Sequence, residues 1–506
     1  MNIGSSQTLR PINNESHTFA QCARFLGVEG VVSADADLLI TGLSDSSREI
    51  QSGDLFIAMP GAKSHGATYI DSVVSAGAVA VLTDAQGALL VNKKLPTLIV
   101  DNPRLQAGDL AAWFYGNPFG KFAAVGVTGT NGKTTTTALL DQLWQLSERT
   151  TGLIGTVGIS LAGEMYPVSF TTPEATTLQM IGAAMAERHV KNIAMEVSSH
   201  GIAQHRIDGT KFEVVGFTNL TQDHLDFHKD MENYFQTKAK LFTSEFADHA
   251  IINIDDQYGV RLYENTAVPA ESVSRNNHKA HWYYEDIHMV ENGMGYEVRI
   301  RGTGGILIEG TLPLLGLHNV DNALLAIALA VHTGVDPIVI GSVMHLLSAP
   351  AGRLEPVAIG QKFIALVDYA HTPDAVAHVL STARSLTKGR VIAVLGCGGD
   401  RDKSKRALMG KALREGSDFA IFTSDNPRGE DPSTILDEMV AGLDLSENAC
   451  IEADRREAIA VAVAEATVGD CVLVLGKGHE RGQEIKGTKI DFDDRIELAR
   501  AIEGLS

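Results

Sequence analysis

The chain of 506 residues carries 42 Lys plus Arg against 62 Asp plus Glu, a formal net charge of -20. It is too long for one small module and too acidic to offer a general polyanion-binding surface, so no nucleic-acid partner is expected. With 44% hydrophobic and 21% charged residues it reads as a globular protein rather than a disordered or fibrous one. At roughly 100 to 200 residues per domain, about three domains are expected.

Cys22, Cys397, Cys450 and Cys471 lack paired-ligand spacing, which argues against a disulfide framework or thiolate metal site and for a reducing compartment. The opening MNIGSSQTLRPINNES has no apolar core for a signal peptide, and no run of about 18 apolar residues follows. A soluble, cytoplasmic chain without membrane insertion is expected.

In chain order, the first 20 or so residues are polar and expected to be loose. From Asp37 a strand-like run, then SDSSREIQSGDLFIAMPG and HGATYIDSVVSAGAVAVLTD, predict a small α/β domain. Gly116, Pro118 and Gly120 mark a seam near residue 120. FAAVGVTGTNGKTTTTALLDQLW then reads as strand, glycine turn and helix, and NIAMEVSS, VVGFTNL and AIINIDD as further strands of a mostly parallel sheet. Residues 276 to 311 alternate partially and suit an antiparallel excursion, after which Asn319 to His332 is helical. APAGRLEP, residues 349 to 356, is a second linker. Beyond it four short apolar strands each end in a polar loop, and function in open parallel sheets collects at such strand ends. The expected partition is 1–120, 121–350 and 351–506. No coiled-coil seam calls for an oligomer, so a monomer is expected.

The sharpest local signal is Gly129, Thr130, Asn131, Gly132, Lys133, Thr134 and Thr135, directly after an apolar strand and opening a helix. Glycines let successive amides line one concavity, Lys133 can meet terminal phosphates, and Thr134 can offer a hydroxyl to magnesium. The full Walker pattern is not met because position 127 is Val; the competing reading is a glycine turn before a Thr-rich helix cap. Glu196 turns a core strand polar at its exit, where a carboxylate can serve a hard cation. His224 and Asp226 follow a second strand exit, with His200 and His205 between, but no HExxH zinc pattern occurs. Lys238 in YFQTKAKLF reads, by itself, as a helix lysine that snorkels to solvent.

Taken together, GTNGKTTT, MEVSSHGIAQHR, FTNLTQDHLDFH, LGLHNVDN, AGRLEP, VDYAHTP, GCGGDRDKSKR, SDNPRGEDP and LGKGHE occur in an order that resembles the muropeptide ligases of peptidoglycan synthesis, the Mur ligases, in particular the members adding the third stem residue. The likeness runs from about Leu43 to the C-terminus. It implies the three-domain Mur ligase architecture: an N-terminal domain for the UDP end, a central P-loop ATPase domain and a Rossmann-like C-terminal domain for the amino acid. It also implies ATP-dependent ligation of meso-diaminopimelate to UDP-N-acetylmuramoyl-L-alanyl-D-glutamate through an acyl phosphate.

By the same resemblance, Lys133 binds ATP phosphates, Thr134 and Glu196 hold one magnesium, and His224 and an N-carboxylated (carbamylated) Lys238 serve a second. Asn319 and Asn322 resemble adenine-side contacts, and Arg353 and Asp368 contacts from the linker and C-terminal domain. Asp45, Ser47, Ala62, Lys63 and Ser64 match the uridine side, while Thr171, Thr172, Ser198, Gln204 and Arg206 match contacts nearer the sugar and peptide. Asp425, Asn426, Pro427 and Arg428, with Arg401, Gly476 and Glu480, match the diaminopimelate site.

Arg428 can pair with the far carboxylate that lysine lacks, leaving Arg428 unpartnered if lysine binds. The same four letters recur at Asp101, Asn102, Pro103 and Arg104, without the surrounding strand and GEDP context. Three departures from the family pattern stand out: His318 in place of an aromatic Phe or Tyr, Phe170 before the Thr171–Thr172 pair, and an insertion-like segment at 276–285. The alternatives are the lysine-adding form, a folylpolyglutamate synthase relative, and a nucleotide-hydrolysing regulatory protein.

Overall fold

Strands that are apolar along their whole length need cover on both faces, and this chain gathers its strands of that kind into the parallel cores of three sheets wrapped by helices. The computed structural model describes residues 9–29, 35–61, 64–92, 94–161, 163–168, 170–290, 295–445 and 448–505. The first sheet orders Gly42–Ser44, Asp54–Ala58, Ala80–Thr83 and Thr97–Ile99, all parallel.

The tail is tied down from residue 9 onward, contrary to the loose segment its polarity suggests. Leu9 is buried in the core of the central sheet. Arg10 donates through both terminal nitrogens to Asp54, each at 2.8 Å. The amides of Ile12 and Asn13 each donate to the Glu187 carboxylate at 2.7 Å. Such anchors leave no apolar periodicity in the sequence.

The central sheet has eleven strands. The phosphate-loop strand Ala123–Thr128 lies between Asn192–Glu196 and Phe212–Phe217, parallel to both, so three strand exits stand side by side. The segment expected to be an antiparallel excursion is antiparallel, but it is an extension of this same sheet. Trp282–Met289 pairs in parallel with Ala270–Ser274, and Tyr296–Gly302 and Ile306–Leu312 add antiparallel. Trp282, Tyr284, Tyr296 and Ile300 share one buried core with the apolar helix Leu317–His332, which explains why the excursion does not leave the sheet. The same core takes the phosphate-loop helix Lys133–Leu146 through Leu139, Leu143 and Trp144. Trp144 is fully buried and donates its indole N–H to Thr333 at 3.0 Å.

The N-terminal and central units meet backbone to backbone. A Cβ on Gly108 would fall 2.3 Å from the carbonyl oxygen of Asp208, and Gly209, at φ +73°, has Gly108 equally close. Only glycine fits either side of that contact.

In the C-terminal sheet Cys471–Leu475 lies between Ile364–Asp368 and Val391–Cys397, although it comes last in the chain. Connections leaving these strands diverge in opposite directions and open a crevice at their carboxyl ends. Among the described residues no helix is long and apolar enough to cross a membrane.

Candidate functional site

The loop after Ala123–Thr128 is shaped by its neighbour. Thr130 N donates to Asn219 O at 2.9 Å, Asn131 N to Asn219 Oδ1 at 3.0 Å, and Thr218 Oγ1 to Asn131 O at 2.6 Å. Gly132, at φ +87°, opens the helix, and a Cβ there would sit 2.2 Å from Asn322 Oδ1. Lys133 folds back, donating to Gly129 O and Thr130 O at 2.9 Å each. Burial lowers the pKa of its ammonium, with Glu196 and Asp223 pulling the other way.

Thr134 Oγ1 donates to Glu196 Oε2 at 2.9 Å, and Arg353 from the linker reaches the same hydroxyl at 3.3 Å. Thr156 N fixes the other carboxylate oxygen at 2.8 Å. The buried Thr135 lies in the first turn of the helix. Asn319 and Asn322 are buried, with Asn322 Nδ2 3.4 Å from Asn319 Oδ1. Asp368 accepts from Leu354 N and Ala370 N, both at 2.7 Å, and so clamps the linker.

Lys238 does not snorkel. It is 1% exposed, lies over the Tyr234 ring, and donates to the very carbonyl that Lys133 uses, Gly129 O, at 2.9 Å. Burial first, then the Lys133 charge, hold its pKa well below the usual lysine value. His224, in the left-handed region at φ 54°, stands edge-on to His200 and to Tyr234. Burial lowers its pKa against the pull of Asp223, so it is held neutral.

Three groups here escaped sequence reasoning. Asp223 accepts from Lys405 of the C-terminal unit at 3.5 Å, and His371 is close enough to add to the field at Asp223. Both Asp223 and Lys405 stand inside quoted motifs, but their approach across 182 positions leaves no local trace. Among the described residues no three His, Cys, Asp or Glu side chains form a metal-holding group, so a cation beside Glu196 would need further oxygen donors, such as the Thr134 hydroxyl.

Between the N-terminal and central units a second polar cluster forms around Glu174, also unforeseen. Arg104 reaches Glu174 Oε2 at 3.2 Å and Arg206 Nε lies 3.1 Å from Oε1. Arg206 also covers the Phe170 ring and donates to Gln204 Oε1 at 2.6 Å. Asp45 Oδ2 is buried without a hydrogen-bond partner, and burial together with Glu174 pushes its pKa up to about 7. Ser47 is half-buried and Ser64 exposed, while Ala62 and Lys63 lie outside the described residues. Thr171 Oγ1 is 3.1 Å from Thr156 Oγ1. Thr172 is fully buried, its hydroxyl spent on Glu196 O and Ser198 Oγ at 3.0 Å each. Ser198 caps the helix Ser199–Ala203 through Gly201 N.

In the C-terminal crevice, Asp425 to Arg428 follow the strand Phe419–Ser424. Asn426 Nδ2 donates to Glu480 Oε2 at 2.8 Å. Arg428, at φ 50°, donates from its side chain to Gly399 O at 2.8 Å and pairs its backbone with the hairpin Gln483–Ile485/Thr488–Ile490 through Glu484 O and Lys486 N. Pro427 is buried, and Arg401 is exposed beside Gly398. Gly476, at φ +109°, lets Asp425 approach: a Cβ there would be 2.8 Å from Oδ2.

A phosphate loop, a carboxylate at the adjoining strand exit and three α/β units around the cleft define a multidomain nucleotide-using enzyme. Three family models match the chain: the Mur ligase family catalytic domain over 39–115, the Mur ligase middle domain over 127–330, and the Mur ligase glutamate ligase domain over 352–478. A UDP-N-acetylmuramoyl-L-alanyl-D-glutamate--2,6-diaminopimelate ligase of Streptomyces avermitilis is 43% identical over 489 residues, 95% of this chain and 96% of its own. One of the same name from Aquifex aeolicus is 41% identical over 455 residues, 90% of this chain and 92% of its own.

A solved structure of a UDP-N-acetylmuramoyl-L-alanyl-D-glutamate--2,6-diaminopimelate ligase superposes with a TM-score of 0.67 at 30% identity, covering 97% of this chain and 99% of that one. MurF ligase from Thermotoga maritima in complex with ADP shares the fold, with a TM-score of 0.64 at 19% identity over 92% of this chain and 97% of its own. The chain belongs to the Mur ligase family.

Proposed function

We propose that this protein joins meso-diaminopimelate to the D-glutamate of UDP-N-acetylmuramoyl-L-alanyl-D-glutamate, at the expense of ATP. The observation that carries this reading is the Asp425–Arg428 loop, where the buried Asp425 carboxyl and the Arg428 guanidinium flank Asn426, itself bonded to Glu480, in a chain whose near-full-length relatives bear that activity in their names. A D-glutamyl carboxylate oxygen would attack the γ-phosphorus, with ADP leaving. The diaminopimelate amine would then attack the acyl carbon, with phosphate leaving, so that a poor electrophile is activated before the amide forms. Nucleotide-linked substrates of this kind support a cytoplasmic site of action.

Within that scheme Lys133 would exchange its loop carbonyls for phosphate oxygens. Thr134 and Glu196 present the hard oxygen donors that Mg2+ prefers, already 2.9 Å apart. His224 and Lys238 fit a second Mg2+ only if the lysine is carboxylated, and the burial that lowers the Lys238 pKa favours the uncharged amine, the form able to take up CO2. Bound magnesium would supply charge neutralisation on the transferred phosphoryl group. Arg206 and Arg104 face the substrate's anionic groups across Glu174, and Arg428 takes the far carboxylate of diaminopimelate. L-lysine would leave Arg428 with no carboxylate to pair.

The test is product mass measured after separate reactions with ATP, the UDP-linked dipeptide, and either meso-diaminopimelate or L-lysine. A tripeptide product only with diaminopimelate is expected; a lysine product, or none, overturns the reading. Lys238→Ala should suppress turnover with partial rescue by small carboxylates, and full activity without rescue would reject the carboxylated lysine.

A further inference from the structure

The carboxylates proposed to receive the amino acid share a cation that belongs to the protein. Lys477 is 0% exposed, and its ammonium donates to Glu480 Oε2 at 3.0 Å, Asn426 Oδ1 at 3.2 Å and Gly482 O at 2.8 Å. Its three donors are thus all placed. Asn426 is gripped on both sides, because Glu484 N also donates to its Oδ1 at 2.9 Å while its Nδ2 meets Glu480. One lysine therefore ties together the DNPR loop, Glu480 and the start of the hairpin that pairs with Arg428.

The charge balance makes this more than scaffolding. Arg455 lies beneath the same loops, donating to Leu475 O at 2.7 Å, but it is matched by Asp494 in a fully buried two-bonded pair. Arg428 of the same loop is matched by Glu484 at 3.7 Å, which leaves Asp425 and Glu480 against Lys477: two carboxylates, one ammonium and one unmatched negative charge. A pocket in that state takes one further ammonium group. Without Lys477 it would hold two neighbouring negative charges in a partly desolvated crevice, and one of them would be extinguished by a proton or by movement of the loop.

We propose that Lys477 is a positioning and selectivity-setting residue: a permanent internal counter-charge that fixes Asn426 and Glu480 and limits the pocket to a single ammonium of the incoming amino acid. This rests on the function proposed above.

Steady-state kinetics on the full chain test it, with ATP and the UDP-linked dipeptide saturating and meso-diaminopimelate varied. Lys477→Met is expected to raise KM for diaminopimelate roughly 30-fold or more while KM for ATP moves less than about twofold. The Lys477→Met/Glu480→Gln double variant should be no worse than the poorer single variant, since the two residues act as one unit. An unchanged diaminopimelate KM in Lys477→Met, an equal rise in all KM values, or strictly additive losses would overturn the proposal.

If Lys477→Met does not fold, Lys477→Arg decides, because it keeps the charge. Its diaminopimelate KM should stay well below that of Glu480→Gln, and a KM as high as that of Glu480→Gln overturns the idea. If the unaltered protein ligates no diaminopimelate, the proposed function fails first. If it does and only the variants disagree, Lys477 alone is misassigned.

Discussion

The tetrapeptide Asp-Asn-Pro-Arg occurs twice, and the two copies fold into different objects. At 101–104 it starts a helix: Asn102 Oδ1 caps Arg104 N at 3.1 Å, Pro103 takes the first turn of Pro103–Phe114, and Arg104 swings to Glu174. At 425–428 it leaves a buried parallel strand, Asn426 becomes a buried junction of three hydrogen-bonding partners, and Arg428 turns left-handed against a hairpin. The letters supply an amide, a rigid turn and a guanidinium in both places. What precedes them decides use: a short strand end leading into a helix in the first case, a buried strand exit at the mouth of a crevice in the second.

Paired substitutions would break or sharpen this contrast. The largest effect is expected for Arg428→Ala, with KM for diaminopimelate rising about 100-fold and KM for the UDP-linked substrate unmoved. Arg104→Ala should do the reverse, raising KM for the UDP-linked substrate about 10-fold by releasing Glu174 and Arg206; equal effects of the two changes on one substrate would erase the distinction. Asn426→Ala should raise diaminopimelate KM about 10-fold, whereas Asn102→Ala should leave kinetics alone and lower stability by about 1 kcal/mol in a denaturant titration, the cost of a lost helix cap.

The smallest effect concerns Asp45, whose pKa burial and the Glu174 charge raise from 3.8 to about 7 against the opposing pull of the first copy's Arg104. A carboxyl with a folded pKa above its unfolded one contributes stability at low pH that is lost as pH rises through the folded value. Unfolding temperature should therefore fall from about pH 4 to about pH 7 more steeply in the unaltered protein than in Asp45→Asn. Parallel curves would remove Asp45 from the account.

Local chemistry was legible in the sequence wherever one element carried it. The phosphate loop, the polar exit at Glu196 and four of the six strands of the C-terminal sheet could be read because a strand, a turn and a helix leave periodic signals within about 20 residues. The ordering of the tail could not, since Arg10 and two backbone amides find their partners 44 and about 175 positions away. Lys238 was misread by the same logic: nothing in YFQTKAKLF reveals that its ammonium ends under the phosphate loop. Glu174, Lys405 and Lys477 belong to the same class, being charges whose meaning is fixed only by what the fold sets against them.

Arg353 sits on the linker between the central unit and the C-terminal unit, with its guanidinium over the Tyr369 ring and one nitrogen on the Thr134 hydroxyl. The tether is also packed at Gly352, whose backbone lies against Gly478 and His479 so closely that a Cβ would fall 2.2 Å from His479 N. With ATP in the proposed cleft, Arg353 would belong both to the linker and to the wall around the nucleotide, so a turn of the one would alter the other. On the proposed function, filling the cleft and the posture of the C-terminal unit would be geared to one another through a single arginine.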